Sequence, residues 1–234
     1  MAKFWTYAEI RTKIQRDTDT EAEEFIRSDE LLDLVNEAID ECEAEIHMLG
    51  VEENYFLTYA DIPVTVGQEL LTLPTDIYAN KIKNLVYSDG SLVYPVRRLK
   101  GPKMYEEIAD QQRATNVSDY YRYILINASP GPQTKILLVP KSREASTSNF
   151  RLWYLRQANR MVDDSSICDI PDFVHFIINR TIYQIWAKEG HPNQAQAKVK
   201  LEESRKLMVD TLNEMVPDGD SEIVMDLSHY YDMN

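Results

Sequence analysis

The spacing of apolar residues changes twice along this chain, and no other feature limits its fold as tightly. Leu31, Leu34, Val35, Ala38, Ile39, Cys42, Ile46 and Leu49 recur every three or four positions, and Gly50 follows. That is the spacing of one helix face, ended by a residue free to turn left-handed. After Gly50 the apolar runs shorten and are separated by Gly, Pro, Asp and Ser, which reads as strands and turns. Helical spacing returns past Pro171 with Phe173, Val174, Phe176, Ile177, Ile178, Ile182, Tyr183, Ile185 and Trp186. Helical segments at both ends and a strand-rich middle make the chain α+β, the middle suiting a small antiparallel sandwich or barrel.

Local signals place the elements. Thr6 and Glu9 have capping-box spacing, which predicts a short helix from Tyr7 to Asp17. Ser28 opens the next helix, with Asp29 and Glu30 where the helix dipole favours negative charge. In the middle, Tyr55–Tyr59, Ile62–Val66 and Leu70–Leu73 read as strands, and Leu73-Pro74-Thr75-Asp76 as a turn into a helical step. Ile82–Tyr87 and Leu92–Arg98 flank Ser88-Asp89-Gly90-Ser91, a hairpin signal; Tyr120–Asn127 and Lys135–Val139 flank Ser129-Pro130-Gly131-Pro132, a second one. Pro102–Ala109 reads as a short helix and Phe150–Leu155 as a further strand. Pro171 suits a first helical turn. The helix after it is apolar around most of its circumference and is therefore expected to be buried on several sides, with His175 a core histidine. Gly190-His191-Pro192 forces a helical hairpin into a last helix from about Asn193 to Val216. The boundaries expected are 1–53 with 165–217 for the helical part, 54–164 for the β-rich part, and 218–234 for a C-terminal arm.

Charge narrows the function. The net charge is −14, which argues against wrapping nucleic acid by neutralising phosphates. It is also unevenly spread. From Asp17 to Glu53 Arg27 stands alone among acids, whereas the stretch from Arg97 to Arg160 holds more cations than acids. Like charges four apart, as in Glu37, Glu41 and Glu45, disfavour an isolated helix, so packing or a cationic partner has to offset them. Two readings stay open: solvated faces that differ in sign, or head-to-tail association in which Glu37, Glu41 and Glu45 of one copy meet Arg97 and Arg98 of the next.

Chemistry is not suggested. The chain lacks a Gly-rich phosphate loop, His-Glu-x-x-His, Cys-x-x-Cys and Gly-x-Ser-x-Gly. His47, His175, His191 and His229 are isolated, and Cys42 and Cys168 read as a small buried hydrophobe and a loop thiol. The Glu37–Glu41–Glu45 stripe does not converge from several elements as metal ligands do. No enzyme, cofactor or metal is expected. No run approaches the ~18 apolar residues of a membrane span, and the N-terminus runs into a helix pattern rather than a secretory signal. Fourteen tyrosines and three tryptophans point instead to protein contacts; their densest cluster, Tyr120-Tyr121-Arg122-Tyr123, reads equally as a half-buried sheet face, and the two readings are compatible. The acidic segment Ser221–Asn234 carries Ile223, Val224, Met225, Leu227, Tyr230 and Tyr231, more apolar than a disordered tail, and reads as an arm that orders on a partner, with a frayed terminus as the alternative.

The order of several motifs resembles head-to-tail adaptor (connector) proteins of tailed, mainly short-tailed, bacteriophages. They are Thr6-Tyr7-Ala8-Glu9-Ile10, the helix Leu31–Ile46, Leu71-Thr72-Leu73-Pro74-Thr75-Asp76, Ile82-Lys83-Asn84-Leu85-Val86-Tyr87 and Asp89-Gly90. Phe150–Leu155, Ile170-Pro171-Asp172 and Ala187-Lys188-Glu189-Gly190 complete them before the final helix. The resemblance implies a helical bundle made from both ends of the chain, with the β region inserted. It implies a dodecameric ring in the virion neck, below the capsid portal protein, made in the host cytoplasm. The C-terminal arm, through Ile223, Val224, Met225, Leu227, Tyr230 and Tyr231, would bind the portal. The ring would carry tail nozzle or tail fibre proteins, and DNA would pass through without being bound specifically. The acidity of Asp17–Glu53 is not demanded by the family; it suits a channel that DNA slides past, or an outward face that meets a basic neighbour. Two rival readings remain. A tail-tube or nozzle subunit would have more strands and lack long terminal helices, and a cytosolic ligand-binding accessory module would have a deep pocket.

Overall fold

The structure is a computed structural model and describes residues 4–19, 26–88, 90–100, 106, 109, 121–127, 134–143 and 145–215. The chain divides into two compact units, one formed by residues up to Tyr55 and from Ala158 onward, the other by Phe56–Gln157. The fold is α+β, with helices at both ends of the sequence flanking a region of two sheets.

The helical unit contains α1 (Tyr7–Thr18), α2 (Ser28–Leu49), α4 (Val174–Glu189) and α5 (Gln194–Met215); a short turn, α3 (Glu53–Phe56), leads into the other unit. The expected capping box starts α1: the Thr6 hydroxyl accepts from Glu9 N–H at 3.3 Å and the Glu9 carboxylate accepts from Thr6 N–H at 3.1 Å. Two further amides at this helix start donate to the segment returning from the β unit, Tyr7 to the Ser166 carbonyl at 2.9 Å and Ala8 to that of Asp164 at 3.2 Å. Donors orphaned at a helix start are thus met by carbonyls from the far end of the sequence. Ser28 is the first helical residue of α2, with Arg27 in the cap position and no side-chain cap bond. Gly50 and Gly190 end α2 and α4 in left-handed conformation, at φ 75° and 70°. A residue without Cβ adopts that conformation at little cost.

Helix α4 packs against α1, α2 and α5. That explains its broad apolar surface: Val174, Phe176, Ile177, Ile178, Thr181, Ile182 and Ile185 are all buried. Facing them are Tyr7, Ile10 and Ile14 of α1, the stripe Leu31, Val35, Ala38, Ile39, Cys42 and Ile46 of α2, and Ala197, Met208 and Leu212 of α5. His175 departs from expectation. It is exposed, set edge-on to Trp5 with ring centroids 6.3 Å apart. The apolar arc of α4 is wide but not complete, and position 175 falls in its gap.

The β unit is a sandwich of two four-stranded sheets, in the orders β1-β8-β3-β4 and β2-β7-β6-β5. The first holds β1 (Leu57–Val64), β3 (Ile77–Ser88), β4 (Val93–Pro95) and β8 (Ser146–Arg156); the second holds β2 (Leu70–Thr72), β5 (Arg97–Arg98), β6 (Arg122–Asn127) and β7 (Thr134–Val139). All pairings are antiparallel except β5 with β6. Both sheets feed one core, including Ile62, Leu71, Leu85, Tyr123, Ile136, Leu138, Phe150 and Leu152. Pro63 sits at a register irregularity on β1, an edge strand, where its missing N–H breaks no ladder.

Three expectations change here. The runs Tyr55–Tyr59 and Ile62–Val66 give one strand, Leu57–Val64, rather than two, and Tyr55 and Phe56 belong to the helical turn before it. Leu73–Asp76 leads straight into β3 with no helical step, and the Asp76 carboxylate accepts from the Tyr154 hydroxyl at 2.9 Å. The run Leu92–Arg98 is split: Val96 is buried, and β4 and β5 on either side of it belong to different sheets. Both expected hairpins form, as β3–β4 and β6–β7. Asp89, the tip 128–133 and most of Pro102–Ala109 lie outside the described residues. Among the described residues no helix is long and apolar enough to cross a membrane.

A buried polar clasp closes the helical unit. The Asn36 side chain donates to the Met161 carbonyl at 3.0 Å and accepts from its N–H at 2.9 Å. Asn36→Ala leaves two buried backbone groups unsatisfied and is expected to destabilise the unit by about 2 kcal/mol. Urea unfolding followed by helical circular dichroism checks this, since an unchanged midpoint would remove the clasp from the account.

Candidate interaction surfaces

The acidic side of α2 is answered within the chain. Glu41 takes a two-pronged bond from Arg180 at 2.5 and 2.6 Å, Gln184 donates to Glu37 at 3.0 Å, and Lys188 pairs with Glu30. Residues 30, 37 and 41 climb α2 as 188, 184 and 180 descend α4, the pattern of an antiparallel helix pair. Arg205 of α5 pairs with Glu45, and Arg160 with Asp40. Glu43 departs from the solvated face expected of it: it is buried, and its carboxylate accepts from Ala158 N–H at 2.9 Å. The like-charge cost along α2 is therefore offset by cations from α4, α5 and the returning segment. Each exposed pair is worth little alone, but several on one seam fix its register.

The two units differ in charge. Phe56–Gln157 holds 13 Lys and Arg against 9 Asp and Glu; the remainder holds 12 against 30. Two cations of the β unit lie on one sheet edge. Arg97 and Arg98 form the edge strand β5, both exposed, and Arg97 lies directly opposite Arg122 on β6. Like charges opposed across a sheet are unfavourable. Charged edge strands also keep sheets from adding strands edge to edge, so this arrangement protects the sandwich as well as marking a surface.

A second surface of the β unit was not anticipated from the sequence. Register places Tyr59, Trp153 and Asn84 in one row across β1, β8 and β3, and Asp61, Arg151, Val86 and Pro95 in the next. These side chains point away from the sandwich core. Tyr59 is 51% exposed and its ring lies 5.1 Å from that of Trp153. The Arg151 guanidinium sits 4.5 Å over the Tyr59 ring and makes two bonds to Asp61, at 2.8 and 3.2 Å. Tyr, Trp and Arg are the side chains that most often carry interface energy, and here all three are held in place before any partner arrives. The signal was present as period-two alternation, Tyr59 with Asp61 and Arg151 with Trp153. The denser tyrosine cluster, by contrast, serves the interior: Tyr123 is buried and Tyr121 packs on Tyr87 at 4.8 Å and Phe150 at 5.1 Å.

The titratable groups are tuned by structural contacts. Hydrogen bonding from Arg151 holds the Asp61 carboxyl below its ordinary range, and bonds from Ser165 and Ser166 do the same for Asp163. Burial, then the Asp76 carboxylate, pushes the Tyr154 phenol up to about 12. Burial raises Cys168 to about 11 and raises Cys42 as well, so both thiols stay protonated at neutral pH. Both are buried and free of disulfides. Among the described residues no three His, Cys, Asp or Glu side chains converge as a metal site. A shallow cavity of about 400 Å³ lies along α1, beside Trp5, Ala8, Thr12 and Arg16. Ile223, Val224, Met225, Leu227, Tyr230 and Tyr231 lie outside the described residues.

Residues 5–220 match the family model described as SU10 adaptor protein. No curated protein matches the chain.

The Asp61–Arg151 contact has a pH signature. A carboxyl whose pKa is lowered in the folded state stabilises it above the unfolded value near ~3.9 and loses that effect as pH falls through the folded value. NMR titration is expected to place the Asp61 midpoint below that of a model carboxyl, and Arg151→Ala to return it to the ordinary range. Equal midpoints in both proteins would show that the ion pair does not persist in solution.

Proposed function

The chain belongs to the SU10 adaptor protein family, structural adaptors of bacteriophage, and from that premise we propose that it joins the capsid portal to the tail as one subunit of a dodecameric ring in the virion neck. The family match, over nearly the whole chain, carries this reading. The surfaces support it: they are aromatic, charged and exposed, as protein contacts require. The 22-residue helices α2 and α5 also argue against a tail-tube subunit, which was expected to lack them.

In this reading the parts divide the work. The arm Ser221–Asn234 docks on the portal, burying Ile223, Val224, Met225, Leu227, Tyr230 and Tyr231 at about 25 cal/mol per Å² before the cost of ordering them. Repetition around the ring adds avidity to a modest single contact. The outward face around Tyr59, Arg151 and Trp153 receives a tail nozzle or fibre protein. Contacts between copies pair acids of the helical unit, Glu37, Glu41 and Glu45 among the candidates, with Arg97 and Arg98. DNA passes through without specific binding, since a unit with 30 acids to 12 cations offers phosphates no net attraction.

The test is to mix the purified chain with its portal protein and image the product by electron microscopy. Rings of the chain on the portal are expected, and a chain that stays monomeric and never binds would sink the proposal. Deleting Ser221–Asn234 is expected to abolish docking while helical content and melting stay unchanged; docking that survives the deletion would reassign the arm.

A further inference from the structure

Helix α5 is long for what it buries. Of its 22 residues only Ala197, Met208 and Leu212 are buried, and all three lie on one side. The opposite side carries Val199, Glu203, Leu207, Asp210 and Glu214 at spacings of three and four, all exposed. Val199 is 57% and Leu207 66% exposed. Two cations, Lys200 and Lys206, flank this stripe, one on each side. The stripe therefore presents two apolar side chains interleaved with three acids, all exposed.

The β unit offers a run of matching composition. Leu92 and Val93 are exposed at 59% and 65%, and the chain continues through buried Val96 to the exposed pair Arg97 and Arg98. The apolar and cationic side chains of this run complement the apolar and acidic ones of the helix. The acids of α2 are less suited to that neighbour, because Glu41 and Glu45 already bond Arg180 and Arg205 and Glu37 already accepts from Gln184.

We propose that the outward face of α5, through Val199, Glu203, Leu207, Asp210 and Glu214, docks on the Leu92–Arg98 run of a second copy of this chain. The inference rests on the self-association in the ring reading above and gives it a specific face. Charge complementarity selects the occupant: the acceptor run belongs to the unit with excess cations, and the helix to the unit with excess acids. Apolar contact would supply affinity, while the charges set orientation and exclude other registers. The contact is heterologous, one surface meeting a different one, as a ring requires.

A charge swap tests it. Full-length chain is assembled alone and on purified portal, and copies bound are counted by native mass spectrometry across a concentration series. Glu203→Lys with Asp210→Lys and Glu214→Lys is expected to weaken assembly about tenfold, and Arg97→Glu with Arg98→Glu to do the same. Combining both sets is expected to restore assembly to near the wild-type level. Leu207→Asp, at a position too exposed to carry the fold, is expected to weaken assembly with melting unchanged. If wild type assembles and either reversal set assembles equally well, or the combination fails to rescue folded protein, this face is wrong and the ring reading stands. If wild type never assembles, with or without portal, the ring reading falls and takes this contact with it.

Discussion

Burial of α4 is the constraint on which the helical unit depends. Its apolar arc is too wide for one neighbour, and it is covered by α1 and α2 from the start of the chain and by α5 from the end. An amphipathic helix with a single apolar stripe would have been content with one partner. Because α4 needs three, the two ends of the sequence are committed to one core, and the β region becomes an insertion between them. The same demand accounts for the polar residues of α2 that recognise the chain as it returns from the insertion. Asn36 holds Met161 by both backbone groups, and Glu43 caps the amide of Ala158. Unsatisfied, these groups would each be costly to bury; satisfied, they fix where the returning segment enters.

Charge is organised at two levels. Along α2 it is local: Glu30, Glu37, Glu41 and Glu45 are each met by a cation or amide from a neighbouring helix. Between the units it is a matter of balance, with an acidic helical part and a β part of slight cationic excess. In the proposed ring this division would be useful, because copies whose parts differ in sign can associate head to tail without a large apolar face that would aggregate before assembly. The β unit adds the Tyr59–Arg151–Trp153 cluster, a preorganised surface outside both charge patterns.

Much of the fold was legible because it rests on local chemistry. The capping box of α1, the left-handed glycines after α2 and α4, both hairpins and the breadth of the α4 arc are written in a few adjacent residues each. What was missed depended on pairing across the chain. Leu92–Arg98 reads as one strand until Val96 turns inward between two sheets. Glu43 reads as one more acid on a solvated face until Ala158 arrives above it, and His175 reads as buried because its neighbours are. The tyrosine cluster at 121–123 drew attention as an interface and proved to fill the sandwich, while the outward aromatic pair lay in two strands nearly a hundred residues apart.

By itself, then, the sequence determined the class of fold, the places where helix gives way to strand, and the excess of acid that turns the chain from nucleic acid toward protein partners. Those follow from hydrophobic period, turn chemistry and net charge, which act over a few residues or over the whole chain at once. Only the tertiary structure decided which carboxylates are already paired and which remain open, and which strands bring Tyr59 beside Trp153. A side chain's partner is set by sheet register and helix packing, and these join residues whose separation along the chain carries no record of the contact.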